Sequence, residues 1–200
     1  MKKFKLNVPI NEERIKELKV ADIVYISGII FTARDKAHIR ILKFLEKRKE
    51  LPFKLKNSVI LHSGPIAKKE KNNFRIFSIG PTTSTRLNPY AKKIIKKFKI
   101  RAIIGKGGMS GEVVKAMKNS CVYLAMTGGC GAITTKQIKK IKNVYWEDLG
   151  LAEAVYELEV KNFGPLIVAI DSKGNSLYEK ITKTTTGIEK FECREQGIFT

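Results

Sequence analysis

Apolar residues recur along this chain in two rhythms, and the points where one gives way to the other define its organisation. Residues 22–31, 58–61, 74–79, 100–104 and 121–126 are short β-branched or alternating runs and predict strands. Between them the spacing lengthens to three and four. Ala37, Ile41, Leu42 and Leu45 share one face of a predicted helix that runs to about residue 50, leaving Arg40, Lys43, Lys47 and Arg48 to solvent. Asp35 or Thr32 is positioned to cap it, and Pro52 ends it. Asn88-Pro89 opens a second helix with proline at its first position and Tyr90, Ile94, Ile95 and Phe98 inward. A third begins near Ser110 and presents Val113, Val114 and Met117. Strand–turn–helix units in succession predict an α/β fold with parallel strands.

The flanks are simpler. Residues 3–8 read as an extended arm, and Asn11 caps a short helix with Glu12 and Glu13 in its first turn. Polar residues 68–73 make a turn before the strand at 74–79, which reads as a hairpin. Beyond residue 143 the pattern is β-rich, with strands at 144–146, 154–160 and 166–170, a break at Phe163-Gly164-Pro165 and a turn at residues 171–175. The expectation is one domain over 1–200, with an N-terminal arm at 1–20 and a loosely held tail at 182–200.

Two of the strand-to-helix turns carry chemistry. Gly80-Pro81-Thr82-Thr83-Ser84-Thr85-Arg86 and Gly105-Lys106-Gly107-Gly108-Met109 both present backbone N–H groups, and they add hydroxyls, a guanidinium and an ammonium. Arg34 stands in the same structural place after an earlier strand. Ligands in open α/β sheets gather beyond the carboxyl ends of strands, so Arg34, Arg86 and Lys106 converge on one anion in this reading. Bidentate arginine contacts of about 1.5–3 kcal/mol each suit a small dicarboxylate. Thr82 and Thr83 either bond a carboxylate, relay a proton or cap the following helix. His38 and His62 read as structural, with His62, beside Ser63-Gly64-Pro65, the better candidate for chemistry.

Charge changes this picture little. Lys+Arg 39 against Asp+Glu 19 gives a net charge of +20, which favours anionic partners. Yet most lysines fall on faces read as helical and solvated, such as Lys92, Lys93, Lys96, Lys97 and Lys99, or Lys136, Lys139, Lys140 and Lys142. Cys121, Cys130 and Cys193 lack metal-ligand spacing, and their odd number argues against a disulfide framework and for a reducing, cytoplasmic setting. No apolar stretch is long enough to span a bilayer. Gly105-Lys106-Gly107-Gly108 also resembles the GxxG loop of KH RNA-binding modules, a reading that leaves Thr82 to Arg86 without a role.

Six stretches together carry a stronger resemblance. They are Thr32-Ala33-Arg34-Asp35 with His38, His62-Ser63-Gly64-Pro65, Gly80-Pro81-Thr82-Thr83-Ser84-x-Arg86, Ile104-Gly105-Lys106-Gly107, Trp146-x-x-Leu149-Gly150 and Asp171-x-x-Gly174-Asn175-Ser176-Leu177-Tyr178. Together they resemble the β subunit of class I, iron–sulfur fumarases and tartrate dehydratases. The resemblance implies a swivelling β/β/α fold of layered sheets and helices. It implies a tricarboxylic acid cycle hydro-lyase subunit that hydrates fumarate to (S)-malate, or one that dehydrates tartrate to oxaloacetate. The implied partner is an α subunit carrying a [4Fe–4S] cluster, in a heterotetramer of two α and two β chains, without nucleic acid or membrane. Arg34, Thr82, Thr83, Arg86 and Lys106 are the implied substrate-binding residues, with Thr82 and Lys106 catalytic and no metal ligand in this chain.

Overall fold

The computed structural model describes residues 1–182 except Asn72 and Lys180. In chain order they form β1 (Lys3–Asn7), α1 (Glu12–Glu17), β2 (Ile23–Thr32), α2 (Asp35–Glu46) and β3 (Val59–Leu61). A hairpin follows, β4 (Ile66–Glu70) with β5 (Asn73–Ser78), and then α3 (Asn88–Phe98), β6 (Ala102–Gly105) and α4 (Gly111–Met117). The remainder is β7 (Val122–Ala125), α5 (Gly131–Thr134), β8 (Ile138–Tyr145) and β9 (Val155–Ile170). The tail expected to be loosely held lies, from residue 183 on, outside the described residues.

Strands β1, β2, β3, β6 and β7 run parallel, and β9 pairs antiparallel with both β7 and β2. That double pairing closes β2–β3–β6–β7–β9 into a ring, with β1 attached to β2 and β8 attached to β9. A closed ring has two faces, and the two-residue period of each strand sorts side chains between them. Val59, Ala102 and Val122 stand in one row across β3, β6 and β7, and Leu61, Ile104 and Leu124 in another, all in the inner core. The alternate row, Ile60, Ile103 and Tyr123, faces out. There it meets Ala37 and Ile41 of α2, Ala91, Ile94 and Ile95 of α3, and Val113, Val114 and Met117 of α4. The first twenty residues contribute Leu6, Ile10, Ile15 and Leu18 to the inner core.

Several sequence expectations are corrected. Lys139, Lys140 and Lys142 lie on the strand β8 and not on a helix. Phe163-Gly164-Pro165 does not separate two strands: β9 continues through it, and the Gln137 side chain supplies the missing ladder bonds. Gln137 accepts from Gly164 N at 3.1 Å and donates to Gly164 O at 2.6 Å. Residues 68–70 belong to β4, and the expected hairpin before the first glycine-containing loop is present but stands outside the ring. Neither Thr32 nor Asp35 caps α2. Arg34 holds that position without a side-chain cap, while the Thr32 hydroxyl accepts from Tyr156 N at 2.9 Å. Helix α2 ends at Glu46, short of residue 50. Among the described residues no helix is long and apolar enough to cross a membrane.

Candidate active site

Because the ring strands β2, β3, β6 and β7 are parallel, their carboxyl ends share one rim, and residues 82–84 are threaded into it. Thr82 N–H donates to His62 O at 2.7 Å, Lys106 N–H to Thr82 O at 3.3 Å, and Ser84 N–H to Lys106 O at 2.9 Å. Thr83 and Lys106 form a parallel bridge. The loop thus acts as a short extra strand between the ends of β3 and β6, and it sets Thr82, Thr83 and Lys106 side by side. Both threonines are half-buried, and their hydroxyls make no hydrogen bond among the described residues. Lys106 is exposed and has no acidic partner among them. Its side chain reaches across to the turn after β7, where a Cβ on Gly128 would lie 4.0 Å from Nζ.

Arg34 and Arg86 are brought together separately. Arg34 Nε lies 3.4 Å from both Asp35 Oδ2 and Glu153 Oε1, and Arg86 Nη2 donates to the same Asp35 Oδ2. One carboxylate therefore links the two guanidiniums. Partial burial pushes the Asp35 pKa up, but the Arg86 hydrogen bond and the arginine charges outweigh it, holding the carboxyl below its ordinary value. Arg34 lies across Gly64, where a Cβ would come within 2.8 Å of Nη1 and 2.6 Å of Ala152 O. Glycine is needed here for close approach. The turn Ser84–Leu87 joins this arginine pair to the Thr82–Thr83–Lys106 group.

Under the rim runs a buried polar chain. Tyr123 Oη donates to Ser84 Oγ at 2.9 Å, and His62 Nδ1 lies 2.9 Å from the same oxygen. The His62 ring meets His38 edge-on at 5.2 Å, and His38 Nδ1 donates to Arg34 O at 2.8 Å. Burial lowers the His38 pKa to about 4, against the opposing Arg34 carbonyl bond and Asp35 charge. Burial and the neighbouring His38 put His62 well below its ordinary value. Both are neutral near pH 7, which makes His62 a brace under the loop. A Cβ on Gly105 would collide with Ser84 Oγ and come within 2.9 Å of Tyr123 Oη, so the network requires glycine there.

The family model described as Fumarase C-terminus matches residues 1–181. The chain belongs to the Fumarase C-terminus family. A relative from Methanocaldococcus jannaschii named putative L(+)-tartrate dehydratase subunit beta is 50% identical, covering 87% of this chain and 90% of that one. The L(+)-tartrate dehydratase subunit beta of Escherichia coli K12 is 34% identical, covering 88% and 87%. A putative class I fumarate hydratase of Geobacillus stearothermophilus is 41% identical over 97% of this chain, which spans only 37% of that longer protein. These names denote hydro-lyases.

Two cysteines lie among the described residues, and one of them, Cys130, sits in the turn after β7 toward which Lys106 reaches. Cys121 is buried, its thiol facing Val122 O at 3.6 Å, and burial pushes its pKa up. Cys130 is half-buried in the turn before α5, and Cys193 lies outside the described residues. No group of three His, Cys, Asp or Glu side chains among the described residues fits a metal ion. Sequence reasoning missed Asp35 and Glu153 as the arginines' partners, and Ser84 and Tyr123 as the brace. The adjacency of Asp35 to Arg34 was a usable signal for the first. Nothing in the linear order pairs Tyr123 with Ser84.

Proposed function

We propose that this chain is the β subunit of a hydro-lyase acting on a four-carbon dicarboxylate, the reversible hydration of fumarate to (S)-malate. The observation that carries this is the rim itself: Arg34, Arg86 and Lys106 beside the unbonded hydroxyls of Thr82 and Thr83. Arg34 and Arg86 hold one substrate carboxylate through the N–H groups that Asp35 leaves unused, and Lys106 holds the other. Thr82, whose backbone carbonyl accepts from Lys106 N–H, carries the proton to or from the substrate carbon. Lys106 also stabilises the negative charge that builds on the neighbouring carboxylate as that proton leaves.

Releasing hydroxide calls for a Lewis acid, the role of a [4Fe–4S] cluster. This chain's described residues offer no ligand set for one, and we assign the cluster to an α subunit. The names "subunit beta" among relatives, and the much longer fumarate hydratase relative, support such a partner. In this reading two α and two β chains assemble in the cytoplasm. The chain is a single swivelling β/β/α domain, a reading supported by the closed ring with helices on its outer face.

A specific observation favours tartrate as a second reading: the 50% identical relative carries that name. Anaerobic reconstitution with the cluster-bearing partner, followed by assays with fumarate, (S)-malate and L(+)-tartrate, separates the two. The expected result is fumarate hydration that neither chain shows alone. Turnover by this chain alone, or none of either substrate by the complex, overturns the proposal.

A further inference from the structure

Arg101 stands at the start of β6, at the end of that strand opposite Lys106. Its side chain is only 8% exposed, yet its bonding is poor. Nη1 reaches Glu12 Oε2 and Ser120 O, each at 3.3 Å, while Nε is enclosed with no acceptor. A guanidinium carries five N–H donors, and a buried one left this incomplete is costly. Glu12 is a divided partner, since Lys16 Nζ lies 2.7 Å from its other oxygen.

Beside Arg101 opens a cleft of about 340 Å³ between the carboxyl ends of α3 and α4. Lys96 and Lys99 line it from one side, and Lys115 and Lys118 from the other. None of these four lysines has an acidic partner among the described residues, and Glu12 is the one carboxylate lining the cleft. Helix dipoles favour cations at these ends, which accounts for single lysines such as Lys96 or Lys115. They do not account for an arginine in the cleft wall, 8% exposed, whose Nη2 makes no hydrogen bond among the described residues and, unlike Nε, is not enclosed.

We propose that this cleft binds a multivalent phosphate, pyrophosphate or the polyphosphate of a nucleotide. The guanidinium fork and the ammoniums of two helices meet several phosphate oxygens at once. A monovalent anion leaves most of this charge unbalanced. The volume suits a short phosphate chain rather than a polymer. Arg101 and Lys106 flank the four residues of β6, five steps and about 17 Å apart at the usual rise, so this is a site distinct from the rim.

The test is isothermal titration calorimetry of the full chain with pyrophosphate and with ATP, without magnesium and at fixed ionic strength. Saturable one-to-one binding is expected for both. The Lys96→Gln/Lys115→Gln pair weakens it at least tenfold, as does Arg101→Lys, which keeps the charge and loses the fork. Arg86→Lys leaves it unchanged. Tighter binding of ATP assigns the nucleotide as ligand, and equal binding assigns the phosphate chain alone. If Arg101→Lys fails to fold, the lysine pair decides, because both side chains are exposed. Absence of saturable binding, or binding that Arg86→Lys removes and the distal substitutions spare, overturns the proposal. So does affinity for single-stranded RNA that pyrophosphate does not compete away.

Discussion

Replacing Arg86 by lysine separates a substrate clamp from a surface charge. The Arg86 side chain is 47% exposed and bonded through Nη2 to Asp35, which leaves its outward N–H groups for a second carboxylate. Lysine preserves the charge and can still meet Asp35, but it loses the planar fork that fixes a carboxylate's orientation. The exposed ion pair is worth at most about 1 kcal/mol, so the melting temperature of a chain this size falls by no more than about 4 °C. Losing a charge-assisted contact of about 2–3 kcal/mol in the transition state lowers kcat/KM by about 30- to 150-fold. The assay is steady-state kinetics of the reconstituted complex with fumarate, beside thermal melts, with Lys92→Arg on the outer face of α3 as control. A kcat/KM within about threefold of the unsubstituted complex refutes the clamp. A large fall in melting temperature makes Arg86 structural instead.

Three further substitutions probe the supports of the rim. Gly64→Ala drives a Cβ against Ala152 O and Arg34, and is expected to cost about 1–3 kcal/mol in urea unfolding and to lower kcat/KM by at least about tenfold; full activity means Arg34 is not held there. Tyr123→Phe removes the donor to Ser84 and should lower stability by about 0.5–1.5 kcal/mol, and an unchanged unfolding midpoint would show that this bond pins nothing. The pH dependence follows from His38, whose folded pKa of about 4 lies below the unfolded value, so the unfolded chain binds more protons between about 6.5 and 4. Stability is therefore complete above about pH 6.5 and declines as the pH falls toward 4, by on the order of 3 kcal/mol from this group. Melts of the native chain and His38→Gln across that range decide it: the variant's curve should be flatter, and equal slopes would remove His38 as the cause.

The parallel strands β3, β6 and β7 were legible as short continuous apolar runs, the mark of strands buried on both faces. Which of Val59, Ile60 and Leu61 faces inward was set by the ring and not by any alternation in the sequence. Strand β8 was legible only at its end, from residue 144, and the reason is geometric. Ile138, Ile141 and Val144 face the core at a spacing of three, which imitates a helix, because register shifts lie between Ile138 and Lys140 and between Ile141 and Asn143. The lysines between them then protect an edge strand. Gly164-Pro165 looked like a chain break because local sequence does not show Gln137 standing in for the ladder. At the site, the strand before the loop at 80–86 was legible as a hairpin arm, but its place outside the ring was not. Thr82 and Thr83 reach the rim only because their backbone hydrogen-bonds between His62 and Lys106. The buried brace joins residues far apart in the chain and leaves no periodic trace.

Closure of the ring by β9 has a consequence for how the chain reaches this shape. Residue 23 pairs with residue 167, and residue 31 with residue 157, so the seam joins segments 126 to 144 positions apart. Until residue 170 has left the ribosome, β2 and β7 each present an open edge to the cell. Pairings this distant form slowly, because a long loop must be ordered before any contact is gained. A chain ending ahead of residue 155 keeps every residue of the rim cations and threonines yet has no seam, and it is expected to aggregate during synthesis rather than accumulate as a smaller binding module.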